Sequence, residues 1–238
     1  MLEICCFDIE SCIKAEQAGA DRLELCVNKG EGGITPSFGI IKEVLKVTHI
    51  PVYVMIRPRG GDFVYATCEK NSMIADIDMV LELGAAGIVC GALLPNGQID
   101  EIFLKNIIEH KKNLAFTFHR AFDRCVDPTK GLEILIENGV DNVLTSGQHE
   151  KAIDGLQNLG HYVKSAKGKI NIMVGSGVLP SNINLFADLG IRAFHFSASQ
   201  NAESTMEYVN EHFSKADATF PSVNADLIRE AKNIIEKL

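Results

Sequence analysis

Eight short β-rich runs alternate with helical patterns from the first residue to about position 198, and this alternation constrains the fold more than any other feature. The runs are 2–6, 22–26, 51–56, 87–90, 114–119, 142–145, 170–174 and 193–196. Between them the apolar periodicity predicts helices over 11–18, 37–47, 71–83, 100–111, 128–138, 150–166 and 181–189. Several helices end in a small-residue turn, such as Ala18-Gly19-Ala20-Asp21 or Leu189-Gly190-Ile191-Arg192, where glycine accepts the left-handed conformation that closes a helix. Regular β-α alternation means parallel strands joined by helical crossovers, and eight units without a long interruption predict a closed (β/α)8 TIM barrel. The competing arrangement, an open sheet with a dinucleotide site, needs a GxGxxG turn after the first strand, and none follows it. No Pro/Ser-rich linker breaks the chain, so residues 1–238 read as a single domain. Leu227, Ile228, Ile234 and Ile235 mark a C-terminal amphipathic helix over 224–238.

Composition narrows the function classes. A chain of 238 residues that is 46% apolar can bury a large core. A net charge of −8 without a run of lysines or arginines argues against nucleic acid as a partner, because neutralising phosphates takes clustered cations. No apolar stretch approaches the roughly 20 residues that cross a bilayer, and the acidic opening segment lacks a basic leader region, so no membrane is expected and the location reads as cytoplasmic. Seven cysteines without a framework of close spacings suit reduced thiols.

Barrel faces follow from polarity. The outward face of each strand packs on helices and is apolar, so polar residues alternating with apolar ones point to the axis. Leu2, Ile4 and Cys6 then face out and Glu3 and Cys5 in, while Leu23 and Leu25 face out and Glu24 and Cys26 in. The same rule places Arg57, Thr117, His119, His195 and Ser197 inside. Active sites of such barrels lie at the C-terminal ends of the strands, where these residues converge.

Three loops add chemistry at that end. PVYVMIRPRGGDF at 51–63 delivers Arg57 to a strand terminus, where a guanidinium needs an anionic partner from the protein or from a ligand. TFHRAFD at 117–123 brings His119, Arg120 and Asp123, with the histidine a general base or a metal ligand. LTSG at 144–147 offers Ser146, and VGSGV at 174–178 resembles the glycine-rich loop that presents amides to phosphate in many barrels. Among the thiols, Cys5 and Cys26 become neighbours across the first two strands, and paired thiolates suit Cu(I). Cys6, Cys12, Cys68, Cys90 and Cys125 read as buried, unreactive thiols.

At these motifs the chain resembles the CutC family of copper homeostasis proteins. The resemblance rests on GADRLELC at 19–26, GGITPSFG at 32–39, MIRPRGGDF at 55–63, TFHRAFD and LTSG. It implies a (β/α)8 barrel, a cytoplasmic homo-oligomer, dimer or tetramer, and a part in copper tolerance through Cu(I) binding. The VGSGV loop departs from the family's usual Pro-Gly-Gly-Gly pattern at Val174 and Ser176. Two functions are therefore expected. The first is Cu(I) binding by Cys26, with Cys5 or a nearby histidine as the second ligand. The alternative is an enzyme acting on a small anionic metabolite, phosphorylated ones included. Its catalytic candidates are Glu24, Arg57, His119 and Asp123, and its substrate-binding candidates are Glu3, Arg59, Asp62, Arg120, Ser146, Gly175, Gly177, His195 and Ser197.

Overall fold

Eight parallel strands close on themselves in sequence order, from β1 (Leu2–Cys6) through β2 (Arg22–Leu25), β3 (Val52–Met55), β4 (Gly87–Cys90), β5 (Ala115–Phe118), β6 (Asn142–Thr145) and β7 (Asn171–Val174) to β8 (Ala193–Phe196), which pairs back onto β1. The structure is a computed structural model and describes residues 1–208, 210, 212 and 219–238. The expected TIM barrel is what the chain forms.

Alternation along each strand sorts the side chains. Leu2, Ile4, Cys6, Leu23, Leu25, Val52 and Val54 join one large apolar layer between barrel and helices. Cys5, Cys26, Tyr53, Met55 and Val89 form a separate cluster, and Leu144, Met173 and Ala193 another, as residues of the opposite strand face must. Burying an aliphatic side chain in the outer layer contributes roughly 1.5–3 kcal/mol, so a one-residue slip in register, which would turn this set inward, is strongly disfavoured.

The helices are α1 (Ile9–Gln17), α2 (Phe38–Val47), α3 (Thr67–Glu82), α4 (Glu101–Lys111), α5 (Pro128–Glu137), α6 (Leu156–Ala166), α7 (Ile183–Asp188) and α8 (Ala225–Ile235). Several begin at side-chain caps: Asp8, Ser37, Asp100 and Asp127 each accept the N–H three residues on. Three boundaries differ from expectation. α3 starts four residues earlier than its apolar pattern, because the Glu69 carboxylate accepts the Ala66 N–H and secures the first turn. The predicted helices over 150–166 and 181–189 each open with a 3-10 turn, Ala152–Gly155 and Pro180–Asn182, before α6 and α7.

Beyond β8 the chain forms an antiparallel pair that the alternation did not foretell, β9 (Ser199–Glu203) with β10 (Thr219–Val223). It leads into α8, capped by Asn224, which packs Ile228 and Ala231 inward and ties Lys232 Nζ to Asp21 Oδ1 at 2.5 Å. The C-terminal helix thus covers the outside of the barrel near β1, as its amphipathic pattern predicts.

Candidate functional site

A charged chain runs through the barrel axis at β8, β1 and β2. Arg22 Nε donates to Glu3 Oε2 at 2.5 Å, and His195 Nδ1 lies 2.8 Å from Glu3 Oε1. His195 Nε2 lies 3.8 Å from Glu24 Oε2, and the Cys26 thiol approaches the same oxygen at 3.4 Å. Cys5 Sγ is 3.8 Å from Cys26 Sγ. Arg22 also lies over the Tyr53 ring, 3.9 Å from its centroid. Arg22 escaped the sequence reading, although the alternation that places Glu24 and Cys26 inside places it inside too.

Protonation follows from this contact order. Burial opposes the charge of Glu3, but Arg22 and His195 outweigh it and hold the carboxyl below its ordinary range. Burial likewise opposes the imidazolium of His195, yet Glu24, Cys5 and Glu3 prevail and hold its pKa well above the usual value. The hydrogen bond to Cys26, then burial, pushes the Cys5 thiol well up, and burial first of all pushes Cys26 up to about 12. Both thiols are therefore protonated at neutral pH.

Above this chain opens a cavity of about 440 Å³ at the C-terminal ends of the strands, lined by Cys5, Glu24, Arg57, His119, Arg120, Gly177, His195 and Ser197 together with Phe7, Met55, Phe63 and Leu144. Arg57 Nη1 donates to the carbonyls of Glu31 and Gly33 at 2.7 and 3.0 Å, and Nη2 to that of Gly61 at 3.0 Å. Its Nε has no partner. His119 Nδ1 accepts the Ala121 N–H at 3.3 Å, which leaves the ring proton on Nε2, and that atom also lacks a partner. Burial and the neighbouring Arg57 charge hold His119 down to about 3, so it is neutral. It presents a donor, whereas a general base or a metal ligand needs a free lone pair.

Several sequence candidates lie outside the cavity lining. Asp123 accepts from Thr145 Oγ1 at 2.5 Å, the Ser146 amide at 3.0 Å, Ser146 Oγ at 2.9 Å, the Gln148 amide at 3.1 Å and Arg120 Nε at 2.8 Å. A carboxylate so engaged locks two loops together and has no free oxygen for catalysis. Ser146 completes the same lock by donating to the His149 carbonyl. Arg59 pairs with Glu69 at 2.6 Å and Asp62 at 3.1 Å, which shapes the loop after β3 on its outer side. Glu3 sits below the cavity floor. Gly175 packs where an added Cβ would lie 2.6 Å from Leu144 Cδ1, so it serves close packing beside the site. Cys68 is exposed, contrary to its reading as buried.

The phosphate cradle expected at VGSGV is not built in the usual way. Ser176 Oγ donates to the Glu150 carbonyl at 2.6 Å and Asn182 to the Gly177 carbonyl at 2.9 Å, while α7 is a short helix entered through a 3-10 turn.

Among the described residues two clusters have the donor chemistry for a metal: Cys5, Glu24 and Cys26, and Glu3, Glu24 and His195, each with its ligand atoms within 4.8 Å of one another. The second carries the His195 proton and the Arg22 contact, so its lone pairs are already engaged. The first offers two soft sulfurs, the donor type that favours Cu(I). A linear sulfur–metal–sulfur unit spans about 4.6 Å if its bonds resemble zinc–thiolate bonds of about 2.3 Å. The observed separation of 3.8 Å is short of that by less than ~1 Å, within reach of small side-chain adjustments.

Comparisons with known proteins agree with this architecture. The model of the CutC family matches residues 1–200. A family protein CutC from Bacteroides fragilis (strain YCH46) is 43% identical over 245 residues, covering 100% of this chain and 97% of the relative. One from Proteus mirabilis (strain HI4320) is 46% identical over 207 residues, covering 87% of this chain and 82% of the relative. A solved structure from Streptococcus agalactiae, named provisionally as copper homeostasis protein CutC, superimposes with a TM-score of 0.79 at 34% identity, covering 82% of this chain and 97% of that one.

Proposed function

This chain belongs to the CutC family, and from that premise we propose that it binds Cu(I) through Cys5 and Cys26 and takes part in copper tolerance. The observation that carries this reading is the pair of sulfurs 3.8 Å apart inside the barrel, one of them facing a cavity open to the strand ends. Copper is cargo here, so the site has to load and release it. Cys5 lines the cavity and meets the ion first. Cys26 lies deeper, beneath Gly33, where an added Cβ would stand 3.0 Å from its sulfur.

Both thiols are protonated at rest, so loading expels two protons. Glu24 Oε2, already 3.4 Å from Cys26 Sγ, is placed to receive one of them. A buried dithiolate–Cu(I) unit carries net negative charge, and the His195 imidazolium beside Glu24 offsets it. Thiols and Cu(I) both persist in a reducing compartment, which supports a cytoplasmic location. The chain has no helix long and apolar enough to cross a membrane among the described residues. Assembly as a dimer or tetramer is consistent with the apolar side chains of Met206, Tyr208 and Phe220 exposed around the β9–β10 pair.

The test is competition for Cu(I) against a calibrated chelator under reducing conditions. Stoichiometric binding by the wild type that is lost in Cys26→Ala and in the Cys5→Ala/Cys26→Ala double variant bears the proposal out. Tight binding unchanged in the double variant removes this site.

A further inference from the structure

Among the charged side chains that line the cavity or join its charged chain, Arg57 alone has no partner of opposite charge among the described residues. Arg22 is matched by Glu3, His195 by Glu3 and Glu24, and Arg120 by Asp123. Arg57 is buried, faces the same cavity, and has no carboxylate partner among the described residues. Its hydrogen bonds go to three main-chain carbonyls, which fix the guanidinium in place without neutralising it. An unpaired charge removed from water costs several kcal/mol, and a fold that keeps one invites a counter-ion.

The donors left over are placed for one. A guanidinium has five N–H groups. Three are given to carbonyls, and those remaining are Nε–H and one on Nη2, on nitrogens bonded to the same carbon. His119 adds an Nε2–H that nothing accepts. The Phe63 ring packs on both groups, its centroid 4.8 Å from the His119 ring and 5.0 Å from the Arg57 guanidinium carbon. Two unpartnered donors of the same polarity thus stand at one cavity wall beneath a single partly exposed aromatic ring, which Gly60 and Gly61 precede in the chain. Both nitrogens are fully buried, so a ligand reaches them only when that ring turns aside.

We infer that this wall binds the carboxylate of a small organic monoanion, with Arg57 and His119 donating to its two oxygens and its apolar body lying against Phe7, Met55, Leu144 and Phe196. The charge class follows from the balance above: one uncompensated positive charge calls for one negative charge, and Glu24 on the cavity floor repels a second. Two adjacent guanidinium donors match the two oxygens of a carboxylate. The volume and mainly apolar walls suit a metabolite-sized ligand. The two sites open into one cavity but use different donors, so carboxylate binding is measured without copper.

The probes are benzoate, benzyl alcohol and phenylphosphonate, which share one phenyl ring and differ in charge. Binding to the full chain is followed by calorimetry and by the ¹⁵N–¹H resonance of His119 Nε2. The expected result is saturable binding of benzoate that shifts this resonance, at least tenfold weaker binding of benzyl alcohol and of phenylphosphonate, and a loss of tenfold or more in Arg57→Met. Because Arg57 also braces three loop carbonyls, Arg57→Lys, which keeps the charge and loses the fork, is measured beside it and should bind intermediately. The inference is overturned by no saturable benzoate binding to the wild type, by equal binding of benzyl alcohol, by tighter binding of the phosphonate, or by undiminished binding in Arg57→Met.

Discussion

His195 and Glu3, 192 positions apart in the chain, meet at 2.8 Å across the seam where β8 closes onto β1. Because Glu3 also holds Arg22, one carboxylate bridges two buried cations, and Glu24 supplies the second negative charge beside His195. Glu3→Gln would leave Arg22 without an anion and His195 with Glu24 alone, and removal of one partner from a buried ion pair typically costs about 3–5 kcal/mol. The loss should appear in urea unfolding as a lower midpoint with an unchanged slope.

The same pair sets a pH dependence. The folded pKa of His195 lies above its unfolded value, so its contribution to stability is complete below about pH 6.5 and fades as pH rises through the folded pKa. In His195→Gln that alkaline decline should flatten, which unfolding midpoints measured between neutral and alkaline pH will show.

His119 acts in the opposite direction. Its folded pKa is held down to about 3, so the unfolded chain takes up a proton first as the solution is acidified. Stability present above about pH 6.5 is lost as pH falls toward 3, by about 1.4 kcal/mol for each unit of separation between the two pKa values. His119→Gln should remove that component, giving a shallower acid branch in the same measurements.

Asp123 is a bracket between the loops after β5 and β6. Asp123→Ala leaves the Ser146 and Gln148 amides and Arg120 Nε without their acceptor. A destabilisation of about 3 kcal/mol is expected from unsatisfied buried donors, with Cu(I) affinity in the folded protein unchanged. A chelator competition on the variant at low temperature separates the two effects.

Thiol reactivity should divide sharply. Cys68 is exposed, whereas Cys5, Cys26, Cys90 and Cys125 are buried with raised pKa values. Iodoacetamide at mildly alkaline pH should modify Cys68 first, and Cys5 and Cys26 only on unfolding, as peptide mapping by mass spectrometry will report.

The sequence alone determined the eight β-α units, the closed barrel and the strand faces. Glu3, Cys5, Glu24 and Cys26 were assigned inward from alternation, which is a local property: in a strand the backbone fixes which way each side chain points. The pairing of Cys5 with Cys26 followed from strand neighbourhood. Arg22 was within reach of the same rule and was passed over.

Loops obey no such period. Arg59, Asp62 and Asp123 share their segments with Arg57, His119 and Arg120, yet only the latter three line the cavity. Which way each turned depended on acceptors and donors brought by other parts of the chain, as Thr145 and Gln148 did for Asp123. Tertiary structure alone decided that the Ala121 amide would make His119 a donor, that Arg57 would meet carbonyls in place of a carboxylate, and that Glu3 would hold a histidine from the last strand. Those outcomes are set by hydrogen-bond competition between groups distant in sequence, which only the closed barrel brings within reach of one another.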